Sequence, residues 1–290
     1  MACLRGSARV RTVFAATCVV AAAIVLVLVP AAASRQSATP AACTINWDGG
    51  AGTTSWTDAA NWDTDSLPGP ADDVCISAGA PGASVTYSDA VNTQVSSLSS
   101  GKPLGVSLGV VTVAGPATLE TLTLSGGTVS LNGSTAIGAL DQSDGLLTGS
   151  GAVGVGAFHW TGGAQSGTGT TTVSSSGLGL TIDGAAAKTL QRDLVSNDPA
   201  GLWDRGTIDL SSGGRIVNNG TLHVNAGEVG DRLTSSDHSG TLVDVGRLEL
   251  GAGITISARL QDASPEIAAE PVSPEVATST VMRSSRSLST

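Results

Sequence analysis

Leu119-Glu120-Thr121-Leu122-Thr123-Leu124-Ser125-Gly126-Gly127-Thr128-Val129-Ser130-Leu131 is two short strands around a Ser-Gly-Gly turn. Leu122, Leu124, Val129 and Leu131 fall on one face, and Thr121, Thr123, Thr128 and Ser130 on the other, which is the period of two expected of a half-buried strand. The pattern recurs at Val110-Val111-Thr112-Val113, Thr170-Thr171-Thr172-Val173, Thr207-Ile208-Asp209-Leu210, Thr221-Leu222-His223-Val224 and Arg247-Leu248-Glu249-Leu250. No window sustains an i, i+3, i+4, i+7 apolar spacing with helix-forming residues, and glycine interrupts too often for helices.

A repeated phrase opens several of these runs: Gly127-Thr128, Gly206-Thr207, Gly220-Thr221 and Gly240-Thr241. The last three are spaced 14 and 20 residues apart, like rungs of uneven length. Aromatic residues make up 3% of the chain and charged residues 13%, while mean hydropathy is +0.21. Such a chain is too apolar for disorder and too poor in bulky side chains to fill a wide globular core. A narrow core of stacked Val, Leu and Ile satisfies both facts. The expected fold is an all-β, right-handed parallel β-helix, each coil hydrogen-bonded to the next; one or two β-sandwiches are the alternative. Asn132, Asn218, Asn219 and Asn225 are expected at turns, stacked in ladders.

The chain divides into five parts. Arg5, Arg9 and Arg11 precede an apolar run over 13–29, then Pro30 and Ala31-Ala32-Ala33-Ser34, so residues 1–33 read as a signal peptide cut after Ala33. An uncleaved signal anchor is the alternative reading. Residues 34–42 are a linker, 43–84 a Trp-rich cap, 85–260 the solenoid, and 261–290, with Pro265, Pro271 and Pro274, a disordered tail. Removing three arginines and no acid from a net charge of −10 leaves about −13, which argues against nucleic-acid partners. Cys3 and Cys18 leave with the signal, and Cys43 and Cys75 are expected to pair as a disulfide in an oxidising, extracellular compartment.

The segments Trp47-Asp48-Gly49-Gly50-Ala51-Gly52, Trp56-Thr57-Asp58-Ala59-Ala60-Asn61-Trp62 and Leu67-Pro68-Gly69-Pro70-Ala71-Asp72-Asp73-Val74 are similar to the start of bacterial secreted β-strand-repeat proteins of autotransporter-passenger and adhesin type. Ile216-Val217-Asn218-Asn219-Gly220-Thr221-Leu222 looks like a rung of such proteins. The resemblance implies a pectin-lyase-like right-handed β-helix and an extracellular, often surface-associated existence. It implies no reaction.

No catalytic residue emerges from the sequence. Asp72-Asp73 are neighbours on opposite faces of a strand. Lys102 and Lys188 lie apart from acidic clusters, and His159, His223 and His238 are scattered, without metal-ligand spacing. Gly105-Val106-Ser107-Leu108-Gly109 matches a nucleophile elbow in letters, but no helix follows it. Asn132-Gly133-Ser134 and Asn219-Gly220-Thr221 are glycosylation sequons by pattern and read as turns. Calcium suits the acidic charge, but no motif supports it, and no cofactor is expected. The five tryptophans, Trp47, Trp56, Trp62, Trp160 and Trp203, are candidate glycan contacts, with capping of the first coil as the competing role. The sequence thus predicts a secreted, non-enzymatic structural or adhesion module that meets a glycan or protein surface and has no membrane span after cleavage. A carbohydrate-active β-helix protein is the alternative, and it requires residues such as Asp204, Arg205, Asp209 and Arg215 to converge on one outward sheet.

Overall fold

A computed structural model describes residues 42–174, 179–225, 231–251 and 254–262. The expected signal peptide and nearly all of the expected linker and tail lie outside the described residues. The described chain is a parallel β-solenoid of about 9 turns, and every pairing between its 24 strands is parallel, which removes the sandwich alternative.

Each coil contributes to three stacks. The first runs from Ile45–Asn46 through Asp73–Ile76, Ser97–Ser100, the opening residues of Ala117–Leu131, Thr135–Thr148 and Ala152–Trp160, then Thr170–Val173, Asp193–Ser196, Arg215–Asn218, Thr241–Asp244 and Arg259–Asp262. The second joins Val85–Tyr87, Leu104–Val106, the middle of the long strands, Leu180–Ile182, Gly201–Trp203, Thr221–Val224 and Arg247–Leu250. The third runs from Asn92–Val95 and Val110–Val113 to Gly163–Gln165, Lys188–Leu190, Ile208–Leu210, Arg232–Thr234 and Thr255–Ile256.

One turn of the coil takes 18 residues where Asn132 meets Ser150 and Thr148 meets Ser166. It lengthens to 23 from Ser174 to Asn197 and to 26 from Asn218 to Asp244. The Gly-Thr phrases are therefore not rungs. Thr207 precedes a third-stack strand, while Thr221 opens one in the second stack and Thr241 one in the first; the phrase marks strand entry at any corner. Parallel pairing also begins within the expected cap, at Ile45 against Val74.

The expected alternation holds in the deciding stretch: Leu122, Leu124, Val129 and Leu131 are buried and Thr123 is exposed. Two glycine columns make the tight corners. Gly109, Gly127, Gly145 and Gly163 have φ of 68°, 63°, 72° and 82°, a left-handed backbone that lets the chain turn from the second stack to the third. Gly133, Gly151 and Gly169 stack where the third stack returns to the first. A Cβ there would lie 2.1 Å from the Gly115 oxygen, 2.0 Å from that of Gly133 and 2.1 Å from that of Gly151, respectively.

Past this column the corner holds Arg192, whose buried Nε and Nη2 donate to the carbonyls of Gly169 and Gly151. Burial lowers its pKa to about 10. Polar residues enter the core in the same half: Gln165 donates to Gln142 and accepts from Thr171, and Asn218 donates to Asp244. Asn218 thus differs from the expectation of a turn. It ends the strand Arg215–Asn218 facing inward, because its position in the alternation points to the core. Asn197 and Asn219 do form an outer ladder, with an amide hydrogen bond of 2.8 Å.

Candidate functional site

The opening segment builds a lid over the first coil. Asn61 explains its N-W motif: its amide donates to Thr53 Oγ1 and the Ser55 carbonyl and accepts from the Ala51 N–H, tying three points of the loop together. Asp58 caps the short 3₁₀ turn Ala59–Asn61, and Asp63 holds both the backbone and the side chain of Asn46. That pair of hydrogen bonds lowers the pKa of Asp63. Trp62 then packs edge-on against Trp47 at 5.1 Å and Trp56 at 4.9 Å, and donates its indole N–H to the Trp56 carbonyl. Trp56 reaches Tyr87 on the second stack. Cys43 and Cys75 form the expected disulfide, joining two adjacent levels of the first stack.

The tryptophans do not present faces to a ligand. Trp47 is 4% exposed, Trp56, Trp62 and Trp160 0%, and Trp203 2%. A sugar stacks on an open ring face, so the glycan-contact role is not carried further for any of the five. Trp160 stacks on Phe158 inside the coil, and Trp203 donates to the carbonyls of Arg205 and Gly206.

Nor do Asp204, Arg205, Asp209 and Arg215 converge. Arg215 lies on the first stack in a two-point pair with Asp193, while Asp209 lies on the third and accepts from Thr234 and Ser236. Asp204 and Arg205 follow the second-stack strand Gly201–Trp203 at a corner. Asp72 and Asp73 serve separate partners, Gly69 and Ser97. Lys102 donates to the Gly82 carbonyl. Lys188 faces inward, fully buried, with its ammonium on the carbonyls of Gly184 and Ala186. Desolvation lowers its pKa, while Asp183, five residues before it, and Asp231, farther along the solenoid, oppose that shift. Ser107 sits exposed at a corner.

The histidines are the residues that sequence reasoning missed. His159 lies on the outer face of the second stack, in register with Asp141 one coil before and Thr181 one coil after. Its Nδ1 is 3.7 Å from Asp141 and its Nε2 3.4 Å from Asp183. Farther along the same face His223 is in register with Glu249, which also binds Arg247 at 2.9 Å. The available signal is the 18-residue separation of Asp141 and His159, the length of one coil. Because Asp141 and Asp183 lie on opposite sides of the imidazole, they cannot share one metal with it, and among the described residues no group of three or more His, Cys, Asp or Glu suits a metal ion.

Over the coils between residues 97 and 172 the outer faces of the other two stacks contrast with this one. Ser97, Ser99, Thr118, Ala136, Gly154, Thr170 and Thr172 on the first, and Thr112, Ser130, Thr148 and Ser166 on the third, are short and uncharged. No family model, curated protein or solved structure matches the chain. Among the described residues no helix is long and apolar enough to cross a membrane.

Proposed function

We propose that the chain is an extracellular, non-catalytic structural or adhesion module, of the surface-associated bacterial kind that its sequence resembles. The observation carrying this reading is the pair of flat outer faces, on the first and third stacks, lined over several coils by Ser, Thr, Ala and Gly. Short side chains on a hydrogen-bonded scaffold lose little rotamer entropy when covered, which suits contact with another surface. The signal-like leader and the disulfide support an exported location.

The carboxylate–imidazole pairs on the second stack favour one other reading, a carbohydrate-active β-helix protein, in which His159 or His223 exchanges a proton. A polysaccharide panel scored for binding and for new reducing or unsaturated ends separates the two. Adhesion predicts binding of a surface polymer or protein without product. Product that disappears in His159→Gln or His223→Gln overturns it.

A further inference from the structure

We infer that the outer face of the first strand stack is a self-association face, on which a second copy of the chain docks with its coils in reverse order. The outer column of this stack changes character along the solenoid. Ser99, Thr118, Ala136 and Gly154 occupy successive levels in the first half, and Thr172, Val195, Val217 and Val243 continue it in the second. The three valines point outward from their strands and are only half-buried, although neighbours in each strand supply the core.

Consider a two-fold axis lying along the strands between the levels of Gly154 and Thr172. It reverses the order of levels and preserves position along each strand, so this column meets itself. Val195 then faces Ala136 of a second copy, Val217 faces Thr118, and Val243 faces Ser99. Val195 and Val243 lie over the smaller Ala136 and Ser99, and Thr172 over Gly154, while Val217 meets the isosteric Thr118; the alternation at three of these four pairings lets two sheets approach to about 10 Å. A parallel arrangement would put valine on valine and leave gaps over Ala136 and Gly154.

Charge agrees with the reversal. At the second level Asp73 points outward and accepts from the Ser97 hydroxyl, and at the last Arg259 is exposed with no ion-pair partner among the described residues. The same axis brings Asp73 of one copy to Arg259 of the other, at both ends. The intervening charges, Asp193 and Arg215, already neutralise each other. Nine steps of about 4.8 Å give a face roughly 43 Å long. With a width of about 12 Å, two copies cover roughly 1,000 Å², the lower bound for a specific interface. Self-association therefore responds to protein concentration.

Sedimentation velocity of the full chain over a concentration series, with oxidative cross-linking, tests this. Thr172→Glu puts like charges across the axis, and its dissociation constant should rise at least tenfold with the melting temperature unchanged. Asp73→Lys and Arg259→Glu should each weaken the dimer and together restore it. Thr118→Cys with Val217→Cys should give a disulfide-linked dimer at least ten times faster than Thr118→Cys with Gln261→Cys. Within one chain, positions 118 and 217 are five levels, about 24 Å, apart and cannot cross-link. A chain monomeric throughout the series, a dimer indifferent to Thr172→Glu, or equal rates of dimer cross-linking in the two cysteine pairs would each overturn the inference.

Discussion

Gly151→Ala and Gly154→Ala add the same methyl group three residues apart in one coil, and the structure assigns them opposite outcomes. At Gly154 the new Cβ meets nothing closer than the Thr135 carbonyl at 3.8 Å. It lies on the open outer face, so Gly154→Ala should be neutral or stabilise by about 0.4–1 kcal/mol through a less flexible unfolded chain. At Gly151 the Cβ would lie 2.0 Å from the Gly133 oxygen and 2.9 Å from that of Leu131. Both obstacles are backbone, so the coils must separate by about 1 Å to reach an ordinary contact distance. Three hydrogen bonds hold this corner: Gly151 N–H to Leu131 spans the clash itself, while Gly169 N–H to Gly149 and Arg192 to the Gly151 carbonyl tie the displaced coil to those that follow. Losing most of them at about 1 kcal/mol each, with the strain of overpacking, gives about 3–5 kcal/mol. Urea unfolding supplies the stability difference, and hydrogen exchange should locate the loss in the coils flanking residue 151. If the two variants agree within about 0.5 kcal/mol, close coil contact is not what requires glycine at this corner.

Three further outcomes are expected. Replacing Cys43 and Cys75 by Ser should cost about 3–4 kcal/mol on the chain-entropy model, for a separation of 32 residues, with exchange accelerating first around the lid; calorimetry and mass-resolved exchange check both. Trp62→Ala removes a fully buried indole from two edge-on contacts and should destabilise by about 3–5 kcal/mol, whereas Trp62→Phe should recover part of this loss in chemical unfolding. Hydrogen bonding and charge from Arg215 hold Asp193 below the usual carboxylate range. The Ser239 hydroxyl and the Ser212 N–H lower Asp237 to about 2. Both carboxylates are depressed in the fold, so their stabilisation is complete above the unfolded pKa near 4 and is lost as pH falls through their folded values, for Asp237 toward about 2. A pH series of melting temperatures should show a shallower acid limb in Asp193→Asn and Asp237→Asn, and an unchanged limb would count against these assignments.

Secondary structure and burial were legible because a period of two needs only local reading. Leu122, Leu124, Val129 and Leu131 could be assigned to the interior without knowing which strands they meet. The disulfide was also legible, since only Cys43 and Cys75 follow the expected leader. What escaped was set by coil length. Asp141 and His159 are neighbours only because one turn is 18 residues long there, and Asp183 joins them through a longer coil. The tryptophans misled for a related reason: ring chemistry suggests a ligand, whereas burial depends on the fold of the lid that Asn61 organises. Lys188 and Arg192 gave no sign of burial, since their partners are carbonyl oxygens at corners.

The 18-residue coil between Ala117 and Val173 also bears on how such a chain changes length through its gene. Removing one residue from this region turns every later side chain about, core to surface, until a corner absorbs the slip. Copying a whole unit, such as 117–134, leaves each side chain facing as before and lengthens the rod by one coil, about 4.8 Å. Insertions of a full coil are thus inherited at little structural cost, and single-codon losses are not. Extension of this solenoid is quantised by its own circumference.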